Sequence, residues 1–180
     1  MTDLVLDCCT LLNLYCGWGG LQKLQEFGPS FHFGQRVADE ILFVRDFDDS
    51  GLLVDRKLSA DELMIQYRFS ILQLSSPQEE DLMVRLAARL DDGEAEGLAI
   101  ASCRGLIFCS DDKPAAEAAR AEGLDTVIIS TPELLQMWAG SNIMRISALP
   151  EIVRRTSTLG RFCPHRSSPH RAWWKEQQAL

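Results

Sequence analysis

Acidic side chains set at the ends of apolar runs are where this sequence could do chemistry. Asp7 directly follows Leu4-Val5-Leu6, and Asp111 and Asp112 follow Leu106-Ile107-Phe108-Cys109 after one serine, Ser110. Both apolar runs have the length of a buried parallel strand. In open parallel sheets, sites lie at the carboxyl ends of strands. Glu94 opens a helical segment that would start at the same edge. Glu40 lies beside Val37 and Ile41 on an otherwise apolar helical face, either at its rim or pointing into a cleft. An acid that follows three buried residues will itself be buried or half-buried. Converged carboxylates repel one another unless a cation holds them together. Oxygen-only ligands with open positions suit Mg²⁺ or Mn²⁺. A metal so held activates water for phosphodiester attack, and a second ion stabilises the leaving oxygen. Asp91, Asp92 and Glu96 read as caps and surface charge.

Other reactive groups offer less. The six cysteines (8, 9, 16, 103, 109 and 163) form no CxxC pair and read as reduced, partly buried thiols of a cytoplasmic protein. Cys163, His165 and His170 make a CxH…H cluster, one ligand short of a structural zinc site. His32 is the only histidine outside the tail, so no cysteine–histidine nucleophile pair is supported. No GxGxxG or GxxxxGK[ST] phosphate loop is present.

The elements that must position these acids alternate. The expected strands are 4–6, a short one at 31–33, 52–54, 71–74, 106–109 and 126–129. The expected helices span 10–27 (broken by Gly17, Gly19 and Gly20), 35–47, a short piece after Ser59, 76–90, 94–103, 113–122, 131–138 and 145–155. Ser76-Pro77-Gln78-Glu79 has the form of a capping box. Strands alternating with helices predict an α/β domain with a mostly parallel sheet. Residues 1–140 would form that domain, with 48–75 a possible insertion, and 141–180 a C-terminal helix and basic tail that is an appendage or mobile.

The chain has 180 residues and a net charge of -8. Residues 151–180 hold six Lys/Arg against two Asp/Glu, so the tail is basic and the body strongly acidic. A generic cationic coat for nucleic acid is excluded; a local basic patch is not. No apolar run reaches 18 residues and the N-terminus has no basic leader, so neither a membrane span nor a secretory signal is expected.

The order of these motifs resembles the PIN-domain ribonucleases, the fold of many bacterial toxin nucleases. Leu4 to Leu14 is similar to that family's first strand, acid and helix start. Val37-Ala38-Asp39-Glu40-Ile41 resembles its second acidic motif. Asp92-Gly93-Glu94-Ala95-Glu96-Gly97-Leu98-Ala99-Ile100-Ala101 resembles the "GEAEAIALA" motif of one branch. Ser110-Asp111-Asp112 resembles its "TDD" motif. The match covers residues 3–139, with 48–75 poorly covered.

The resemblance implies an α/β/α sandwich and a metal-dependent endoribonuclease. Asp7, Glu40, Glu94 and Asp112 would be its catalytic carboxylates, binding Mg²⁺ or Mn²⁺ with Asp111 as the ambiguous neighbour. Ser110 would support the last acid. Cys8 and Cys9 stand where the family more often has Thr, Ser or Ala, and Thr10 could replace the missing hydroxyl. Gly97 stands where the family has Ala. The expected partners are RNA and an antitoxin protein, with no membrane and a possible homodimer. Arg36, Arg45, Arg56, Lys57 and the tail with Trp173-Trp174 could contact phosphates and bases. The alternative is a catalytically inactive PIN-like binding or regulatory module. A receiver-like phosphoryl-transfer protein using Asp7 and Asp111 or Asp112 is weaker, because neither a central phospho-acceptor Asp at a strand end nor a downstream Lys is clearly placed.

Overall fold

A computed structural model describes residues 3–40, 42–48, 50–140 and 142–180. Five short strands form one parallel sheet. β1 (Leu4–Leu6) lies at its centre, between β2 (Phe31–Gly34) and β6 (Ile107–Cys109). β5 (Ser70–Leu72) extends the sheet beyond β2, and β7 (Ile128–Ile129) beyond β6. The chain therefore builds outward on one side of β1, then crosses back to place β6 on the other. That reversal makes a crevice at the carboxyl ends of β1 and β6, where Asp7 and Ser110 to Asp112 follow the strands.

Strand side chains alternate faces, and the core divides accordingly. Leu4, Leu6 and Cys109 face α1 (Cys8–Trp18), α7 (Thr131–Gly140) and α9 (Leu149–Thr158). Val5 and Phe108 face α4 (Pro77–Leu86), α5 (Asp92–Arg104) and α6 (Lys113–Ala121). Helices thus flank both faces of the sheet. Leu11, Leu14, Tyr15, Leu134, Leu135 and Trp138 are buried in the first layer, so those helix faces belong to the core. Gly97 lies against Phe108: a Cβ there would come within 2.8 Å of the ring. The bulky strand residue is what excludes alanine.

Three expectations are corrected. The helix expected over 35–47 stops early: α2 is Gln35–Asp39, and β3 (Leu42–Phe47) pairs antiparallel with β4 (Leu53–Leu58). Leu42 and Val44 are buried while Phe43 is 59% exposed, the period of two that a half-covered hairpin requires. The Asp48 side chain closes the turn by accepting from the Ser50 and Leu52 backbone N–H groups. Leu42, Val44 and Leu58, with Leu63 of α3 (Ala60–Ile65), pack on the α1 layer. The added unit is thus this hairpin and helix, while β5 is an edge strand of the main sheet.

The helix expected over 145–155 is two helices, α8 (Ile143–Ile146) and α9, the latter restarted with Pro150 in its first turn. The tail is not a loose appendage. A strap over 160–170 leads into α10 (Arg171–Ala179), whose Trp174 is fully buried. Its ring meets Phe162 edge-on at 5.2 Å, and its Nε1 donates to Ser157 Oγ at 3.0 Å. Trp174 is therefore a structural anchor and offers no ring to RNA. Among the described residues, no helix is long and apolar enough to cross a membrane.

Candidate metal centre

Three helix N-termini meet in the crevice between β1 and β6. Asp7 caps α1 with Oδ1, which accepts from the Thr10 backbone N–H at 2.6 Å. Asp91 caps α5 by accepting from the Glu94 N–H at 2.8 Å, which sets Glu94 in the first turn facing the crevice. Asp112 is the N-cap residue of α6, yet its side chain makes no capping bond. Its carboxylate turns instead toward Asp7 and Glu94. One oxygen of each of these three acids lies within 4.8 Å of the others, the one such grouping among the described residues that could hold a metal ion.

The energetics of this arrangement are unfavourable without a counter-charge. Each helix N-terminus supplies about half a positive charge, which offsets only part of three carboxylates. Burial, resisted by the Thr10 hydrogen bonds, pushes Asp7 up to about 7. Burial also pushes Glu94 up to about 7, helped by the charges of Asp112, Asp91 and Asp7. Asp7 Oδ2 is buried and accepts no hydrogen bond. A buried acceptor left in this state costs about 1–3 kcal/mol. A cation would satisfy it, and an all-oxygen donor set suits a hard ion better than a soft one.

The other expected site residues fall in different places. Glu40 ends α2, is exposed, and lines the same recess of about 140 Å³ as Asp7, Glu94 and Asp112, outside the close cluster. Asp111 turns away from the cluster. Its Oδ1 accepts from the Thr131 N–H at 2.8 Å, and its Oδ2 accepts from the Thr131 hydroxyl at 2.5 Å and the Asn13 amide at 2.9 Å. Asp111 thus ties β6 to α7 and α1. Ser110 donates to Glu94 Oε1 at 3.3 Å and accepts from the Asp112 N–H at 3.1 Å, bracing two members of the cluster at once. Thr10 contributes its backbone N–H to Asp7. Cys9 is pushed up to about 12, by burial first and then by Asp7 and Asp112, so its thiol stays protonated.

Arg45 and Arg56 are engaged with Asp55 and Glu62 respectively, and Arg56 also reaches the Tyr15 hydroxyl. Arg36 lines a shallow cleft beside the recess with Glu40 and Asp91.

Sequence reasoning missed two supports. Glu96, expected as surface charge, is buried, and its Oε2 accepts from the Arg36 N–H at 2.7 Å, holding the start of α2. Gly34 permits this, since a Cβ there would lie 2.3 Å from that oxygen. The "GEAEAIALA"-like spacing carried the signal: Glu94 and Glu96, two apart on one helix, reach different partners. Thr131 has the sequence signal of a helix start alone, and its hold on Asp111 spans 20 residues. No family model, curated protein or solved structure matches the chain.

Proposed function

We propose that this protein is a metal-dependent endoribonuclease of the PIN-domain type, acting as the toxin of a toxin–antitoxin pair in the cytoplasm. The observation that carries the reading is the convergence of Asp7, Glu94 and Asp112 on one crevice, with the buried Oδ2 of Asp7 unpartnered. Mg²⁺ or Mn²⁺ bound there would supply charge neutralisation and activation of water for hydrolysis of a phosphodiester.

The chain's own residues do the rest. Asp7 and Glu94 offer buried oxygens on the floor of the recess, and Asp112 offers an exposed one at its mouth. The Thr10 N–H and the Ser110 hydroxyl fix the first two carboxylates. Such bracing removes the reorganisation that a solvated carboxylate would need. Glu40 lines the same recess outside the cluster and offers the carboxylate that would accept the proton lost by an attacking water. The neutral thiols of Cys8 and Cys9 line the recess without competing as nucleophiles.

The test is cleavage of RNA by the purified protein with Mn²⁺ or Mg²⁺, then with EDTA, then with metal restored. Cleavage that follows the metal supports the reading. Equal cleavage in EDTA, or none under any condition, contradicts it. The toxin role predicts growth arrest on expression, relieved by a small partner protein whose segment fills the acidic recess. Expression without arrest would remove the toxin role and leave the nuclease.

A further inference from the structure

Beside the carboxylates lies a second feature that the metal reading does not use. The strap over 160–170 runs past Asp112 and encloses two clefts, of about 310 and 410 Å³. Both volumes are in the range of small-ligand sites. The two clefts share Asp111, Asp112, Phe162 and His165. The smaller one is walled by Ala116, Ile128 and Pro132 from the sheet side and by Phe162, Pro164 and Pro169 from the strap. The larger one is more open and carries Arg161. Arg161 is exposed and, among the described residues, in no ion pair.

The walls have the chemistry of a nucleobase site. A base has two apolar faces and a polar edge, and it is bound by flat apolar surfaces with donors at the rim. His165 supplies such a donor. Its Nδ1 lies 2.8 Å from the Ser167 hydroxyl and 3.2 Å from the Ser167 N–H, so in the Nε2–H tautomer both Ser167 groups donate to Nδ1 and the ring N–H is left for a ligand. Lys113, at the first turn of α6, lines the same cleft. Phe162 is held in place by the buried Trp174, so its wall is set before any ligand arrives.

The geometry points to a substrate subsite: the nucleotide next to the cleaved phosphodiester places its base in the Ala116–Phe162 cleft. Its neighbour's phosphate meets Arg161 in the adjoining cleft. This inference rests on the nuclease reading and specifies its substrate as single-stranded RNA. A base held in a duplex stack cannot enter such a cleft, whereas an unpaired one can. The basic tail thereby becomes part of the substrate groove of an otherwise acidic protein.

The test uses the full chain carrying Asp7→Asn, which leaves RNA intact, and a labelled single-stranded RNA of about ten nucleotides read by fluorescence anisotropy. Adding Ala116→Leu fills the cleft from its half-buried α6 wall and should weaken binding about tenfold. Adding Arg161→Gln should weaken binding and lower the slope of log affinity against log salt by about one. Arg85→Gln, on α4 and paired with Glu122 beyond the far end of α6, should change neither. A duplex of the same sequence should bind less well than the single strand. If both groove variants bind as the parent does, the subsite is wrong and the nuclease reading stands. If the wild type cleaves no RNA and the parent variant binds none, both fall. Thermal melting of each variant confirms that its fold is kept, and Arg161→Gln, being exposed, tests the groove independently of Ala116→Leu.

Discussion

Asp7→Asn should stabilise this protein when metal is absent, although Asp7 lies at the centre of the site. Ionised Asp7 is buried, has one unpartnered oxygen, and faces Glu94 and Asp112. Its rise from 3.8 to about 7 corresponds to a destabilisation on the order of 4 kcal/mol when it is fully charged. Asparagine removes that charge and keeps the helix cap, since its carbonyl oxygen can still accept from the Thr10 N–H. It also relieves Glu94, which the charge of Asp7 helps to raise. Against this stands the amide N–H₂, which must find an acceptor among the remaining acids.

A net gain of about 2–3 kcal/mol, or roughly 5–10 °C in Tm for a chain of this size, is expected in EDTA at pH 8. The sign follows from linkage. The folded-state value lies above the unfolded one, so the native state binds more protons between pH 3.8 and about 7. Wild-type stability from this group is therefore full below pH 3.8 and is lost as pH rises through 7. The gap between variant and wild type should close as pH falls from 8 to 5. Mn²⁺ at a hundredfold excess over Kd should stabilise the wild type by about 2.7 kcal/mol, raising its Tm, and leave Asp7→Asn nearly unmoved. Differential scanning fluorimetry over pH and Mn²⁺ reads all of these. An Asp7→Asn protein less stable than wild type at pH 8 in EDTA would refute the electrostatic argument.

Other consequences are simpler. Asp111→Ala should cost about 1–3 kcal/mol in urea unfolding, because it strands the Thr131 and Asn13 donors, while Mn²⁺ affinity changes little. Trp174→Ala should cost about 3–5 kcal/mol and expose the strap to proteolysis. Arg104 donates to Glu79 at 2.7 Å and holds its carboxyl down to about 2. The stability this pair contributes should be present above pH 4.5 and fall away toward pH 2, and Arg104→Ala should remove that part of the acid transition. Gly97→Ala should destabilise by about 1–3 kcal/mol through its clash with Phe108, as urea unfolding would report.

What was legible in the sequence was local. An acid after a buried run is a strong signal, and Asp7 and Asp112 carry it. Glu94 was legible as the start of a helix at the same edge. Asp111 and Asp112 are adjacent, and pattern alone does not say which turns inward; the choice depends on Thr131 and Asn13, both remote in the chain. The run from Leu42 to Phe47 continues the apolar pattern of the helix before it, and its pairing with the partner strand β4 decides that it is extended. The Ser/Pro/Arg composition of the tail hid a long-range contact, the burial of Trp174 against Phe162. Glu79 and Glu96 are buried because Arg104 and the Arg36 N–H reach them from 25 and 60 residues away.

The most direct measurement is the rate of Mn²⁺-dependent RNA cleavage by wild type and by Glu94→Gln, a substitution that keeps the side chain's size and removes its charge. The account predicts metal-dependent cleavage by wild type and a loss of at least about 100-fold in the variant. Equal rates for the two proteins at saturating metal would contradict it.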